Sequence, residues 1–384
     1  MADIRAAVYH EILEFFMREG IAMGIFDGMN KIDLHCHLDG SLSVETIRKL
    51  AANIGRELPP KEELLSRMQV KDDCRELGEY LKCFEVPLPF LCTEENFKDA
   101  VIGVLRDVSK ENVVYIELRF SPLMSGWSGM SYERMIAGAV DGLKAGYEQY
   151  GVRSSLILCG MRHMPVEENI KMLRIGREFF REGVCGADMA GNEAAYPILG
   201  QRAFFEEAKR LEMPFTIHAG ECGSAQSVRD AIALGAKRLG HGIAARKDEA
   251  LMEECRRRRI ALELCPISNL QTKAVSSEEE YPFELFWKRG MMLTVNTDNR
   301  MVSGTSLTRE FEWLQGQYGN AGKGVKTFAG DVTREVFAAE ASKMLAGDME
   351  TFFTEETAKT LTENALEASF AEDDVKHEIW KKIR

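Results

Sequence analysis

The run VVYIELRF (113–120), the longer segment YERMIAGAVDGLKAGYEQY (132–150) and the run SSLILC (154–159) decide the fold between them. The two short runs are dense in β-branched, aliphatic and aromatic residues, which suit a buried, pleated strand. The segment between them spaces its apolar residues as an amphipathic helix does. A strand, a helix and a second strand in this order form a crossover unit, and such units build parallel sheets. Outward from this unit the pattern repeats. Further strand candidates stand at Lys31–His37, Val184–Ala190, Pro214–His218, Arg238–His241, Ile260–Leu264 and Met291–Thr297, with helical spacing at Phe97–Asn112, Glu167–Glu182 and Gln201–Leu211. Eight strand candidates alternating with helices predict an α/β chain closed into a single (β/α)8 TIM barrel. No low-complexity linker, charge block or strict repeat interrupts the series, so residues 1–384 are expected to form one barrel domain. The insert at 44–96 is longer than one crossover helix requires. Such an excursion forms either a lid over the barrel mouth or a passive surface elaboration; a helical lid is the expectation.

The 384 residues, 45% hydrophobic and 29% charged, suit a soluble globular protein with a sizeable core. A formal net charge of -12 repels phosphodiester backbones and anionic lipid surfaces. Nucleic-acid and membrane partners are therefore not expected, whereas a neutral or cationic small substrate is. The one basic run, Arg256–Arg259, ends a helical stretch and complements its dipole. The nine cysteines form no CxxC pair and sit mostly inside apolar runs, the pattern of reduced thiols in a cytoplasm. The N-terminal stretch, with Asp3, Arg5, Glu11 and Glu14, reads as a weakly amphipathic helix and offers no signal-peptide core. Nothing in the sequence sets an oligomeric state.

Only seven histidines occur, and four stand where a strand candidate ends: His35, His37, His218 and His241. In a barrel those ends form the active face. His35 and His37, two apart on a strand, project to the same side. Such a pair taken alone is as compatible with coincidence as with a metal site. His218 adds a third nitrogen and Asp298 a carboxylate oxygen, each from another strand end, and the four together describe an open site for one Zn²⁺ per chain. The reason for such a site is hydrolysis, because a bound cation brings the pKa of water from about 15.7 towards about 7. Glu221, three residues past His218 in the turn opened by Gly220, is either a solvent-exposed loop residue or a general acid/base; its place beside a predicted ligand favours the second. His241, between two glycines, either bonds backbone in a tight turn or orients the attacking oxygen.

Five motifs follow one another in the chain: His35-Cys36-His37-Leu38-Asp39-Gly40, His218-Ala219-Gly220-Glu221, Leu239-Gly240-His241-Gly242, Ser268-Asn269 and Asn296-Thr297-Asp298. Together they resemble the adenosine deaminase family, and the likeness extends through Val113–Pro122, Met161–Pro165 and Asp188–Glu193. The resemblance implies zinc-dependent hydrolysis of adenosine or 2'-deoxyadenosine to inosine or 2'-deoxyinosine plus ammonia, in purine salvage. It implies that His35, His37, His218 and Asp298 hold the zinc, with His37 also facing substrate, that Glu221 shuttles a proton to purine N1, and that His241 positions the attacking oxygen. Gly191 matches a backbone donor to purine N3, and Asp39 matches the acceptor of the ribose 5'-hydroxyl, where a carboxylate disfavours a phosphate. The family pattern has a second aspartate after Asp298, and this chain has Asn299; an amide can donate to purine N7 without first gaining a proton. Leu77, Tyr80, Leu81 and Phe84 match an apolar lid over the ribose, although a plain amphipathic helix would look the same.

Competing readings are deamination of free adenine, a two-metal amidohydrolase and a non-catalytic nucleoside-binding barrel. Asp39 argues for a sugar, the absence of a lysine in Asp188–Gly191 argues for one metal, and Glu221 argues for catalysis. The unrelated zinc deaminases that use a PCxxC pair are excluded, since that pattern does not occur.

Overall fold

A computed structural model describes residues 24–222, 224–319 and 353–384. The helix expected around Asp3 to Glu14 lies outside them. Eight strands run in chain order: β1 (Lys31–His37), β2 (Val113–Phe120), β3 (Arg153–Met161), β4 (Val184–Ala190), β5 (Thr216–Ala219), β6 (Arg238–His241), β7 (Ala261–Leu264) and β8 (Leu293–Val295). Each pairs in parallel with the next within two four-stranded sheets, β1 to β4 and β5 to β8. The sheets join at both seams. Ala187 N–H donates to Pro214 O at 2.9 Å, while His37 N–H donates to Asp298 O at 2.7 Å and Asp298 N–H to His35 O at 2.8 Å. The strands therefore close into the expected (β/α)8 barrel.

Strand limits differ from the sequence reading where the backbone is put to other use. β5 starts at Thr216 rather than Pro214, because proline has no N–H to offer the ladder. β8 stops at Val295: the Asn296 side chain accepts from Leu34 N–H, and Asp298 turns the chain at φ 57°. The helix expected to reach Glu182 ends at Arg177. Phe179 and Phe180 continue the apolar spacing, but Phe179 O accepts from Val184 N–H in the turn into β4.

The outer helices begin where their sequences cap them. Ser43, Thr93, Ser131, Ser224, Asp248 and Ser306 each accept from the backbone N–H three residues on. The tightest helix pair is Glu94–Ser109 against Tyr132–Tyr150. There Gly138, Gly142 and Gly146, spaced four apart on one face, meet Glu94 O, Lys98 O and Leu105 so closely that a Cβ would overlap them. At the other end of the barrel, Ile32 of β1 and Tyr115 of β2 pack with Ala365, Leu366 and Ile379 of the last two helices, Glu355–Ala368 and Asp373–Ile383.

The insert after β1 is helical, with helices Val44–Asn53, Lys61–Met68 and Leu77–Leu81 and short 3-10 turns. It touches the loop after β8, where Val70 N–H donates to Val302 O at 2.9 Å and the Tyr80 hydroxyl lies 2.7 Å from Ser303 Oγ. No helix among the described residues is long and apolar enough to cross a membrane.

Candidate active site

The strand ends converge as the barrel requires. His35 and His37 come from β1, His218 from β5, and Asp298 from the turn after β8; one ligand atom from each lies within 4.8 Å of all the others. His37 Nε2 and His218 Nε2 face one another at 3.2 Å, and Asp298 Oδ1 is 3.4 Å from both His35 Nε2 and His37 Nε2. Buried His35 Nε2 has no hydrogen-bond partner. His37, 15% exposed, marks the side on which the site opens, since His35 is fully buried.

The far nitrogens of two of these imidazoles each face a carboxylate. Glu263 Oε2 lies 2.8 Å from His35 Nδ1, and Asp188 Oδ2 lies 2.9 Å from His218 Nδ1. A carboxylate at Nδ1 keeps the proton there and leaves the Nε2 lone pair free to bind a cation. Asp298 Oδ2 accepts from Ser268 Oγ at 2.6 Å, which turns Oδ1 toward the same point. Inward-turned lone pairs, an orphaned buried nitrogen and an open side fit a divalent cation with N and O ligands.

Burial raises the carboxyl of Asp298, but the imidazoles of His35, His37 and His241 outweigh it and hold the group well below the usual range. Asp188 is held down likewise by His218 and Arg119 against its burial. Burial above all leaves His37 and His218 below the ordinary histidine value, against the pull of Asp298 and Asp188, whereas His35, in spite of its burial and of Arg119, is raised by hydrogen bonds to Asp298 and Glu263. Arg119, fully buried, joins the two supporting carboxylates: Nη1 donates to Asp188 Oδ2 at 2.7 Å and Nη2 to Glu263 Oε2 at 3.0 Å.

Glu221 and His241 stand beside the cluster, with His241 Nε2 3.8 Å from Glu221 Oε2. Burial above all, then the charges of Asp298 and Glu193, push the Glu221 carboxyl up to about 8. Asn269 Nδ2–H donates to His241 Nδ1 at 2.9 Å, and Tyr281 fixes that amide through Asn269 Oδ1 at 3.5 Å. Burial holds His241 well below its ordinary value, so its neutral ring carries the proton on Nε2, facing Glu221. His241 reaches this position with φ 63°, an uncommon conformation for a side-chain-bearing residue.

The remaining predicted residues surround this centre. Asp39 opens the turn Asp39–Ser41 directly after β1; burial raises its carboxyl to about 6. Gly191, at φ 105°, follows β4. Asn299 is buried beside Asp298, and its Oδ1 has no partner. Of the four insert residues, Tyr80 is buried with its hydroxyl bonded to Ser303, Leu77 and Phe84 pack partly buried beside it, and Leu81 is 43% exposed. Asp188, Glu263 and Arg119 were given no role from sequence. Their signal is a charged residue inside an otherwise apolar strand.

The adenosine deaminase family model matches residues 30–351. This chain belongs to the adenosine deaminase family. Among its relatives, the adenosine deaminase of Enterococcus faecalis is 39% identical over 75% of this chain and 87% of its own length. The adenosine deaminase of Lacticaseibacillus casei is 37% identical over 82% and 93%. Solved structures share the fold: an adenine deaminase from Arthrobacter aurescens superposes with a TM-score of 0.76 at 23% identity, covering 93% of this chain and 98% of that one. An N6-methyl-AMP deaminase from Arabidopsis thaliana gives 0.73 at 24%, covering 93% and 97%.

Proposed function

We propose that this member of the adenosine deaminase family is a zinc enzyme that hydrolyses the 6-amino group of adenosine or 2'-deoxyadenosine, giving the corresponding inosine and ammonia in purine salvage. The observation that carries the reading is the Glu221 carboxyl and His241 Nε2, 3.8 Å apart, standing beside a cluster of three imidazoles and one carboxylate. His35, His37, His218 and Asp298 would hold one Zn²⁺, which when bound would supply the Lewis acidity that brings the pKa of water towards neutral.

The chain's own groups do the rest. With its pKa near 8, Glu221 holds a proton at neutral pH and delivers it to purine N1, so that the ring accepts the electrons displaced at C6. His241 donates Nε2–H to the oxygen that adds at C6, stabilising the charge that develops there. Glu221, now ionised, takes a proton from that oxygen and returns it to the departing amino group, and the proton shed by the next incoming water restores its carboxyl. Gly191 N–H orients purine N3 and the Asn299 amide purine N7, while Asp39 accepts from the 5'-hydroxyl. Leu77, Tyr80, Leu81 and Phe84 form the lid side of the pocket, and barrel and insert act as one domain. The nine free thiols suit a reducing cytoplasm.

The test is Glu221→Gln. The variant is expected to bind zinc normally and lose at least about a hundredfold in turnover, followed by the ultraviolet change of adenine to hypoxanthine with a chelator as control. Near-normal turnover would remove Glu221 from the chemistry. Equal rates on adenosine and free adenine would remove the sugar contact at Asp39.

A further inference from the structure

The segment that carries Glu221 is gripped at both ends by groups the proposed chemistry does not use. Gly220, at φ 77°, turns the chain after β5, and a Cβ there would meet Val228 Cγ2 at 2.6 Å. The turn thus packs on the helix Ala225–Leu234 as closely as glycine allows. On the β5 side, buried Arg162 donates Nη2–H to His218 O at 2.5 Å and Nη1–H to Tyr196 O at 3.0 Å. On the other side stands Glu193, 8% exposed. Its Oε2 accepts from Gly220 N–H at 2.9 Å and from Ser227 Oγ–H at 2.5 Å, and its Oε1 accepts from Cys222 N–H at 2.5 Å.

The two amide donors flank Glu221 in the chain. Glu193 also follows Gly191 by two residues, so the turn expected to contact purine N3 is the turn that anchors the expected proton carrier. We infer that Glu193 is a positioning residue: by accepting from the backbone on both sides of Glu221 it sets where that carboxyl stands, and it ties this position to the turn bearing Gly191. The inference rests on the role proposed above for Glu221.

The residue type is demanded by the donors. Two amides and a hydroxyl converge on one side chain, and only a carboxylate offers acceptors at both of its atoms. Glutamine keeps the shape but turns an NH2 toward an N–H. The flank it releases can relax, and a displacement of about 1 Å at an acid/base costs up to about a hundredfold in rate.

The experiment compares Glu193→Gln, Glu221→Gln and the double variant as zinc-loaded full-length chains. Glu193→Gln is expected to lower kcat between about tenfold and a hundredfold, to keep KM for adenosine within about threefold, and to retain one zinc per chain. Combined with Glu221→Gln it is expected to lower the residual rate no further, because both act through one carboxyl. A wild-type kcat, a loss confined to KM or zinc, or an independent further loss in the double variant each overturns the inference. Should Glu193→Gln fail to fold, Ser227→Ala removes only the hydroxyl bond to Oε2; a several-fold fall in kcat at unchanged KM supports the inference, and unchanged kcat overturns it. Full turnover by Glu221→Gln refutes the role of Glu221 itself. An inactive Glu221→Gln with a fully active Glu193→Gln leaves that role standing and refutes only Glu193.

Discussion

Asp188→Asn changes one oxygen to an amide in a fully buried site, and the geometry sets what it costs. Asp188 Oδ2 accepts from Arg119 Nη1 at 2.7 Å and faces His218 Nδ1 across an ion-pair distance of 2.9 Å, while Oδ1 accepts from Met189 N–H at 2.7 Å. Asparagine has one acceptor for these three donors. In either orientation its NH2 faces an N–H, so at least one charge-assisted bond is lost, at about 1.5–3 kcal/mol. For the site, losing the partner behind His218 should weaken zinc about 10- to 100-fold, or about 1.4–2.7 kcal/mol. For the metal-free fold, breaking a buried ion pair costs about 3–5 kcal/mol, and the low end applies because Glu263 still neutralises Arg119. Zinc affinity is read by competition with a chromophoric chelator, and stability by urea unfolding of metal-free protein. At saturating zinc, KM for adenosine should stay close to wild type, since Asp188 lies behind the ligand rather than against substrate. Zinc affinity within about twofold of wild type would refute the reasoning that Asp188 orients His218.

Further predictions concern other positions. Glu310 is fully buried, accepting from Ile267 N–H at 3.0 Å and Thr305 Oγ1–H at 2.8 Å, and burial raises its carboxyl from 4.5 to about 8. Its folded pKa lies above its unfolded one, so the folded state binds more protons between these values and stability falls as pH rises from about 4.5 through 8. Glu310→Gln imitates the protonated form; it should match wild type at pH about 4.5 and exceed it at pH about 9 by up to about 5 kcal/mol in urea unfolding, and equal stability at both would contradict the burial argument. Asn299→Asp should still deaminate adenosine if the side chain serves purine N7, with the change confined to KM. Complete loss of nucleoside binding would argue for another role.

The barrel could be read from the chain because its signal is local: eight short apolar runs separated by helical spacing need no knowledge of their partners. The cluster of His35, His37, His218 and Asp298 was legible for a related reason, since histidine is scarce here and strand ends are shared ground in a barrel. Strand limits were less legible, as at Pro214, which has no N–H to give the ladder, and beyond Asn296, where the chain turns at Asp298 with φ 57°. Glu193, Arg162 and Arg119 were not assigned because their partners are distant: Arg119 meets Glu263 across 144 positions, and Glu193 meets Cys222 across 29. Local periodicity carries no information about pairs of that kind. An arginine in VVYIELRF or a glutamate in ALEL signals only that something inside the barrel must neutralise it.

What neutralises it bears on why the barrel interior is charged at all. Glu263 accepts from Arg119 and, through Oε1, from Arg238 Nε at 2.7 Å and Thr216 Oγ1 at 2.9 Å; Arg238 also reaches Glu117 Oε2 at 2.7 Å. These groups come from β2, β5, β6 and β7 and meet where a barrel ordinarily packs branched aliphatic residues. Buried ion pairs gain little over apolar packing of the same volume, so stability alone does not account for them. Orientation does. An aliphatic core offers no acceptor for the Nδ1–H of His35 or His218, and without one either ring can take the other tautomer or rotate away from the cluster. The same lattice that would be an energetic liability in a structural barrel fixes two of three imidazoles through carboxylates locked by one guanidinium. Apolar replacement of Arg119 and its partners should therefore be tolerated by the fold more readily than by zinc binding.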